Sequence, residues 1–299
     1  MDSSISDLYL LLFKSIKGIG PKTLQLIYNN FGSFQKAFNS SIDSFQEIIK
    51  GNSILKEIEK IQRNKELSIE KVKQIDKRLK ESKIFFISYF NEKFPSQLEN
   101  IEDPPIGLYL KGKVILSDLE KSVSIVGSRN CSFYAHIKTR EIAKDLAKAG
   151  FVIISGLARG VDLEAHIGAL EGGGKTIAIP GSGLNELYPR EHQEIVKDII
   201  KKGALISEFG LDQKVRKYML VKRNRIISGL SKASLIIEGG LDSGTTHEIK
   251  FAQKQEKKIF ALKPENQLRE SSLLPGKLIA DKVAKEIKNA SEIIESIEF

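Results

Sequence analysis

Residues 151–171 read FVIISGLARGVDLEAHIGALE, and this stretch decides the fold. Phe151-Val152-Ile153-Ile154 is a short run of large apolar residues with no polar alternation, the pattern of a strand buried on both faces. Ser155-Gly156-Leu157-Ala158-Arg159-Gly160 then interposes a loop of mostly small residues, and from Val161 the apolar positions return at helical spacing. Working outward, similar runs stand at residues 84–87, 123–126, 176–179, 235–237 and 259–262. Helical stretches lie between them, near 134–149, 191–202, 222–230 and 245–256, as well as over 161–171. Such alternation predicts an α/β core, a parallel sheet covered by helices. Four strand exits carry small residues: Gly127-Ser128, Ser155-Gly156, Gly181-Ser182-Gly183 and, after Glu238, Gly239-Gly240. Open sheets of this kind bind ligands outside the carboxyl ends of their strands, so these exits are expected to converge on one crevice.

The flanks read differently. Residues 1–80 place Leu8, Leu11, Leu12 and Ile16, then Leu24, Ile27 and Phe31, at helical spacing, and show no strand. Lys17-Gly18-Ile19-Gly20-Pro21 suits a glycine hairpin between two helices, with the proline at the first helical position, as in helix-hairpin-helix DNA binders. After Pro264, residues 265–299 read as a short helical appendage with Ile287, Ile293, Ile294 and Ile297 on its apolar side. The expected division is therefore 1–80, 81–264 and 265–299. With 299 residues, 41% apolar and 28% charged, the chain is long and apolar enough to fold as one large domain or two unequal ones. A lone Cys131 and four scattered histidines exclude an internal disulfide and a thiolate zinc site, and no metal is expected. The apolar run at residues 8–13 is too short for a signal peptide or a membrane span, which makes the cytoplasm the expected location, away from membranes.

The chemistry offered by the exits is that of anion binding. No exit spells GxGxxG with an acid about 20 residues on, and GxxxxGK[ST] is absent, which disfavours a dehydrogenase or a Walker NTPase. Gly127-Ser128-Arg129 and residues 155–160, including Ser155, Gly156, Ala158, Arg159 and Gly160, supply backbone amides, hydroxyls and two guanidinium groups that suit phosphate without a metal. Ser243-Gly244-Thr245 opens a further helix in the same manner. Residues 213–237 contain no acid but seven cations, Lys214, Arg216, Lys217, Lys222, Arg223, Arg225 and Lys232. On a chain of formal net charge +9 this is a candidate polyanion surface, a solvated face being the plainer alternative. Asp162 and His166, four apart on one helix face, read as structural support for the loop; orienting a nucleophile is their other use.

Taken in order, these blocks resemble the DNA-processing protein A (DprA/Smf) family of natural transformation and DNA recombination. The resemblance is carried by Ile101-Glu102-Asp103-Pro104-Pro105, Ile125-Val126-Gly127-Ser128-Arg129, the 155–162 block with Ala165-His166, Gly181-Ser182-Gly183-Leu184 with Tyr188-Pro189, Arg223-Asn224-Arg225-Ile226-Ile227-Ser228-Gly229, and Ser243-Gly244-Thr245. It implies an extended Rossmann-like core, with helices on both faces of a parallel or mixed sheet, preceded by a small all-helical domain of the sterile-alpha-motif or helix-hairpin-helix kind. It further implies a homodimer that binds single-stranded DNA, catalyses no reaction, needs no cofactor and helps load a RecA-type recombinase. The DNA-backbone contacts of the family carry over to Gly127, Ser128 and Arg129. The 155–160 loop and the cluster Lys222, Arg223 and Arg225 are expected at the same groove. Two departures stand out: Tyr218-Met219-Leu220-Val221 replaces the family's Phe-Pro before the basic block, and residues 265–299 are too few for a winged helix. A loose likeness of residues 238–245 to the phosphate loop of nucleotide phosphoribohydrolases that resemble lysine decarboxylases supports the alternative, a small-nucleotide enzyme or sensor with Glu238 or Asp162 as acid or base.

Overall fold

The computed structural model describes residues 5–113, 119–266 and 268–297. It divides into two units, Met1–Phe94 with Ile106–Leu108, and Pro95–Pro105 with Tyr109–Phe299.

In the first unit the expected helical spacing yields six helices: α1 (Ile5–Lys14), α2 (Pro21–Phe31), α3 (Phe34–Asn39), α4 (Ile42–Gln46), α5 (Asn52–Arg63) and α6 (Lys65–Glu81). The hairpin between α1 and α2 forms where Gly18 adopts φ 94°, a left-handed conformation suited to glycine, and Pro21 opens α2. Phe13, Phe34 and Phe45 are fully buried, and Phe13 stacks on Phe45 at 6.0 Å between ring centroids. Strand β1 (Phe85–Ser88) closes this unit, with the Tyr89 amide donating to the Ile106 carbonyl at 3.0 Å. Asp7 of α1 is buried, and its carboxylate accepts from the Ser88 hydroxyl and the Asn91 amide, each at 2.8 Å.

The second unit is the α/β core. From β2 (Gly107–Gly112), residues Tyr109–Gly112 lie antiparallel to β6 (Ala204–Ser207). The remaining strands, β3 (Ser122–Val126), β4 (Val152–Ser155), β5 (Thr176–Ala178), β7 (Ala233–Ile236), β8 (Lys258–Leu262) and β9 (Lys285–Ile287), run parallel with one another and with β6 in the order β6-β5-β4-β3-β7-β8-β9. The chain builds outward from β3 through β4, β5 and β6, then returns to the other side of β3 for β7, β8 and β9. That reversal puts a topological switch point between β3 and β7. In an open sheet this is where the loops at the carboxyl ends diverge and leave a crevice. Every residue of β3, β4, β6 and β7 is buried, as a sheet covered on both faces requires.

The covering helices are α7 (Phe133–Lys148), α8 (Val161–Glu171), α9 (Gln193–Lys202), α10 (Lys217–Lys222), α11 (Asn224–Leu230), α12 (Thr245–Lys254), α13 (Leu273–Ala280) and α14 (Ser291–Ile297). Helices α7 and α8 approach closely because α8 carries glycine at the crossing: a methyl group on Gly168 would meet the Ala143 side chain at 2.9 Å and press on the Arg140 carbonyl oxygen. Gly168→Ala is therefore expected to destabilise the core by about 1–3 kcal/mol through overpacking, measured as a lower denaturation midpoint in urea.

Three strands escaped the sequence reading, β2, β6 and β9, and the single helix expected over 222–230 is two, broken at Arg223. Residues 265–299, read as purely helical, also contribute β9 beside β8. This strand has only Ile287 buried, and the Lys263 amide donates to the Ile287 carbonyl at 2.8 Å. Its other two residues, Lys285 and Glu286, leave no apolar run for the eye to find. Among the described residues no helix is long and apolar enough to cross a membrane.

Candidate functional site

The switch point holds a crevice of about 540 Å³. It is lined by the turn after β3, Gly127-Ser128-Arg129, by Ser243-Gly244-Thr245 at the start of α12, by Ala158 after β4 and by Lys217 of α10. Only a residue without a side chain fits at Gly127, where a methyl group would meet the Glu238 carbonyl oxygen at 2.9 Å and Val161 at 2.8 Å. Gly160, at φ 69°, packs against the Ser128 and Arg129 carbonyls, so the two exits brace each other. At α12, Gly244 is the N-cap and makes no side-chain cap; the Thr246 and His247 amides are taken by the Ser243 and Gly244 carbonyls, at 3.1 and 3.3 Å, so the amides left for an anion at this end are those of Gly244 and Thr245. Thus Gly127, Ser128, Arg129, Ala158, Ser243, Gly244 and Thr245 are brought together as expected.

The other candidates are placed differently. Ser155 is buried and its hydroxyl donates to the Ile125 carbonyl at 2.6 Å. Arg223 lines the floor, 5% exposed, and donates from Nη1 to the carbonyls of Gly156 and Ile179 while Nη2 stands 3.6 Å from Asp162. Gly156 is needed there because a Cβ would collide with that guanidinium. Asp162 also accepts from the Ala158 amide at 3.3 Å, and burial raises its pKa against the pull of Arg223. His166 turns away from it. The Thr176 hydroxyl donates to Ile153 at 2.8 Å and therefore accepts from His166 Nδ1 at 2.7 Å. Burial lowers the His166 pKa to about 3, so the ring is neutral.

Four of the seven cations of 213–237 are compensated by acids elsewhere in the chain, which corrects the reading from local charge. Arg225, 3% exposed, pairs with Glu208 at 2.7 Å and Asp103 at 3.1 Å; Lys222 stands 3.6 Å from Glu208; Lys232 pairs with Glu120 at 2.6 Å. Arg225 and the buried Arg223 are thus held inside the core by acids and carbonyls distant in sequence. Arg159 is exposed but pairs with Glu191 through Nε at 2.5 Å, and it does not line the crevice. Of the candidate cations, Arg129, Lys214, Arg216 and Lys217 are exposed and without an ion-pair partner among the described residues. Arg159→Ala is accordingly expected to change affinity for a polyanion less than twofold in a salt-matched titration, since exposed pairs of this kind contribute little.

One charged group of the crevice escaped the sequence reading, Glu248; Lys217 stands among the seven cations of 213–237. Glu248 is 1% exposed, and its sequence signal is an acid on the buried face of α12, in step with Thr245, Ile249 and Ala252. Glu238, an alternative acid or base, has both oxygens engaged at the start of α7, by the Ser132 amide at 2.9 Å and the Ser132 hydroxyl at 2.6 Å.

A family model described as DNA recombination-mediator protein A matches residues 85–298. The chain belongs to the DNA recombination-mediator protein A family. Within that family, the protein Smf of Synechocystis is 31% identical over 259 residues, 85% of this chain and 64% of its own length. The DNA processing protein DprA of Bacillus subtilis is 33% identical over 218 residues, 73% of each chain. The chain therefore spans about two-thirds to three-quarters of these two relatives. Among solved structures, DNA processing protein A from Streptococcus pneumoniae superposes with a TM-score of 0.77 at 25% identity over 100% of both chains, so the Rossmann-like fold is that of the family. The Helicobacter pylori protein, described by its unique single-stranded DNA binding mode, superposes with a TM-score of 0.64 at 30% identity, over 71% of this chain and 95% of its own.

Proposed function

We propose that the crevice between β3 and β7 binds the phosphate backbone of single-stranded DNA with little sequence preference and that the protein acts on it without catalysis. The observation that carries this reading is one crevice lined both by two cations without ion-pair partners among the described residues, Arg129 and Lys217, and by the Gly244 and Thr245 amides and the Ser243 hydroxyl. Phosphate needs cations and N–H donors, and both line this crevice; of its two carboxyls, Asp162 stands against the buried Arg223 and Glu248 is buried. The absence of catalysis is supported by the engagement of Glu238 at the α7 terminus and by the burial of His166 away from the crevice. The names of the B. subtilis and S. pneumoniae relatives and the binding mode described for the H. pylori protein support the wider role. In that role the protein, as a cytoplasmic homodimer needing no cofactor, shields incoming single strands in transformation and recombination and helps a RecA-type recombinase onto them.

Fluorescence anisotropy with labelled 30-mer single-stranded and duplex oligonucleotides tests the reading, alongside thermal shift with a panel of mononucleotides. The expected result is preference for the single strand and no shift with any mononucleotide. A mononucleotide at 100 times its dissociation constant would add about 2.7 kcal/mol of stability. Such a shift, with equal binding of single strand and duplex, would overturn the proposal in favour of a small-nucleotide enzyme or sensor.

A further inference from the structure

Glu248 has no evident structural task. It lies at the floor of the crevice, 1% exposed, and neither carboxyl oxygen has a hydrogen-bond partner. A buried carboxylate without partners is costly, and buried polar groups left open in a ligand crevice are completed by the ligand or by a proton. The charged groups facing it are Asp162 of α8, Arg223 between α10 and α11, Arg129 of the turn after β3 and Lys217 of α10; Asn224 is the neutral liner from α11, and His247 beside it on α12 is exposed. Arg223 is already committed to two carbonyls and to Asp162, so one buried guanidinium faces two buried carboxyls. Of the two acids, Asp162 has the Ala158 amide and the guanidinium, whereas Glu248 has neither. The excess proton therefore belongs on Glu248, in keeping with the upward shift of its pKa by burial.

We propose that Glu248 is a ligand-contacting group of the crevice whose carboxylic O–H donates to a non-bridging phosphate oxygen of the bound strand, so that binding is linked to retention of one proton. The inference rests on the proposed single-strand reading of the site. Its physical content is a sign. The acid form completes the donor set made by Arg129, Ser128 and the start of α12, while the ionised form sets a negative charge against a negative phosphate. Affinity then falls as pH rises through the ionisation of Glu248, with a limiting slope of about one log unit per pH unit for one linked proton.

The test is anisotropy with a labelled thymine 30-mer between pH 6 and 8.5 at constant ionic strength, for the wild type and Glu248→Gln. The amide keeps the size of the side chain and an N–H donor but does not titrate. The wild type is expected to lose roughly tenfold or more in affinity across the range, and Glu248→Gln to bind as tightly as the wild type at pH 6 and to stay flat. The same pH dependence in both proteins, or weak binding by Glu248→Gln at every pH with an unchanged melting temperature, overturns the inference. Calorimetry on the unaltered protein gives a second reading that no folding defect can disturb. At a pH on the falling limb of the wild-type curve the binding enthalpy is expected to vary with the ionisation enthalpy of the buffer in the sense of proton uptake, and buffer independence there overturns the inference. Wild-type failure to bind the 30-mer at any pH would remove the parent reading, and this one with it; binding with unaltered pH dependence in Glu248→Gln removes this one alone.

Discussion

Arg129→Ala is expected to weaken binding of single-stranded DNA by about 10- to 100-fold at moderate salt, the cost of one charge-assisted, fork-shaped phosphate contact. Its guanidinium is exposed at the rim of the crevice and free of an ion-pair partner, so the substitution removes a ligand contact without opening the core. The thermal midpoint should therefore move little. Equilibrium anisotropy with a single-stranded oligonucleotide, run beside a melting curve, checks both halves. Unchanged affinity would place the strand elsewhere than at the turn after β3.

Arg223→Ala is expected to do the reverse, lowering stability by about 3–5 kcal/mol, the range for removing one partner of a buried charge pair. Its neighbour Arg129 belongs to the surface, but the Arg223 side chain joins the Gly156 carbonyl, the Ile179 carbonyl and Asp162, and so ties the exits of β4 and β5 to α8. Alanine takes the guanidinium donor from two carbonyls and leaves the buried Asp162 without its cation. The Asp162 charge would then favour protonation, so part of the loss should be recovered at acid pH. Denaturant titration at pH 7 and pH 5 measures this. A loss below 1 kcal/mol at pH 7 would mean that the guanidinium is dispensable to the fold.

The contrast between these arginines shows where sequence reading stops. Strands β3, β4, β5, β7 and β8 were legible, because a sheet buried on both faces writes itself as short runs of β-branched and other apolar residues in which only small polar residues, such as Ser124 of β3 and Ser234 of β7, intervene. Strand β9 has one buried residue and β2 lies antiparallel, and neither carries that signature. The crevice was legible in part: the turns after β3 and β4 reach it, but Gly181-Ser182-Gly183 and Gly239-Gly240 do not line it, and the reversal of strand order that opens it is not written in any one stretch of sequence. The fate of each cation was not legible. Arg225 meets Asp103 across 122 positions of sequence and Glu208 across 17, and such partners are invisible to any local count of charge. Glu248 was missed for a related reason: an acid at an inward helical position looks like a surface residue until the helix is docked.

The central claim is that the exposed unpaired cations, Arg129 and Lys217 in the crevice with Lys214 and Arg216 close to Lys217 in the chain, and not the paired ones of the same basic segment, hold the single strand. The direct measurement is the slope of log affinity against log salt for a single-stranded 30-mer, for the wild type and for a variant with Arg129, Lys214, Arg216 and Lys217 all replaced by alanine. At about 0.7 log units per phosphate neutralised, four contacts predict a slope of roughly −3 for the wild type and a loss of about that amount in the variant. A variant that keeps the wild-type slope would contradict the account and place the phosphates on another face of the protein.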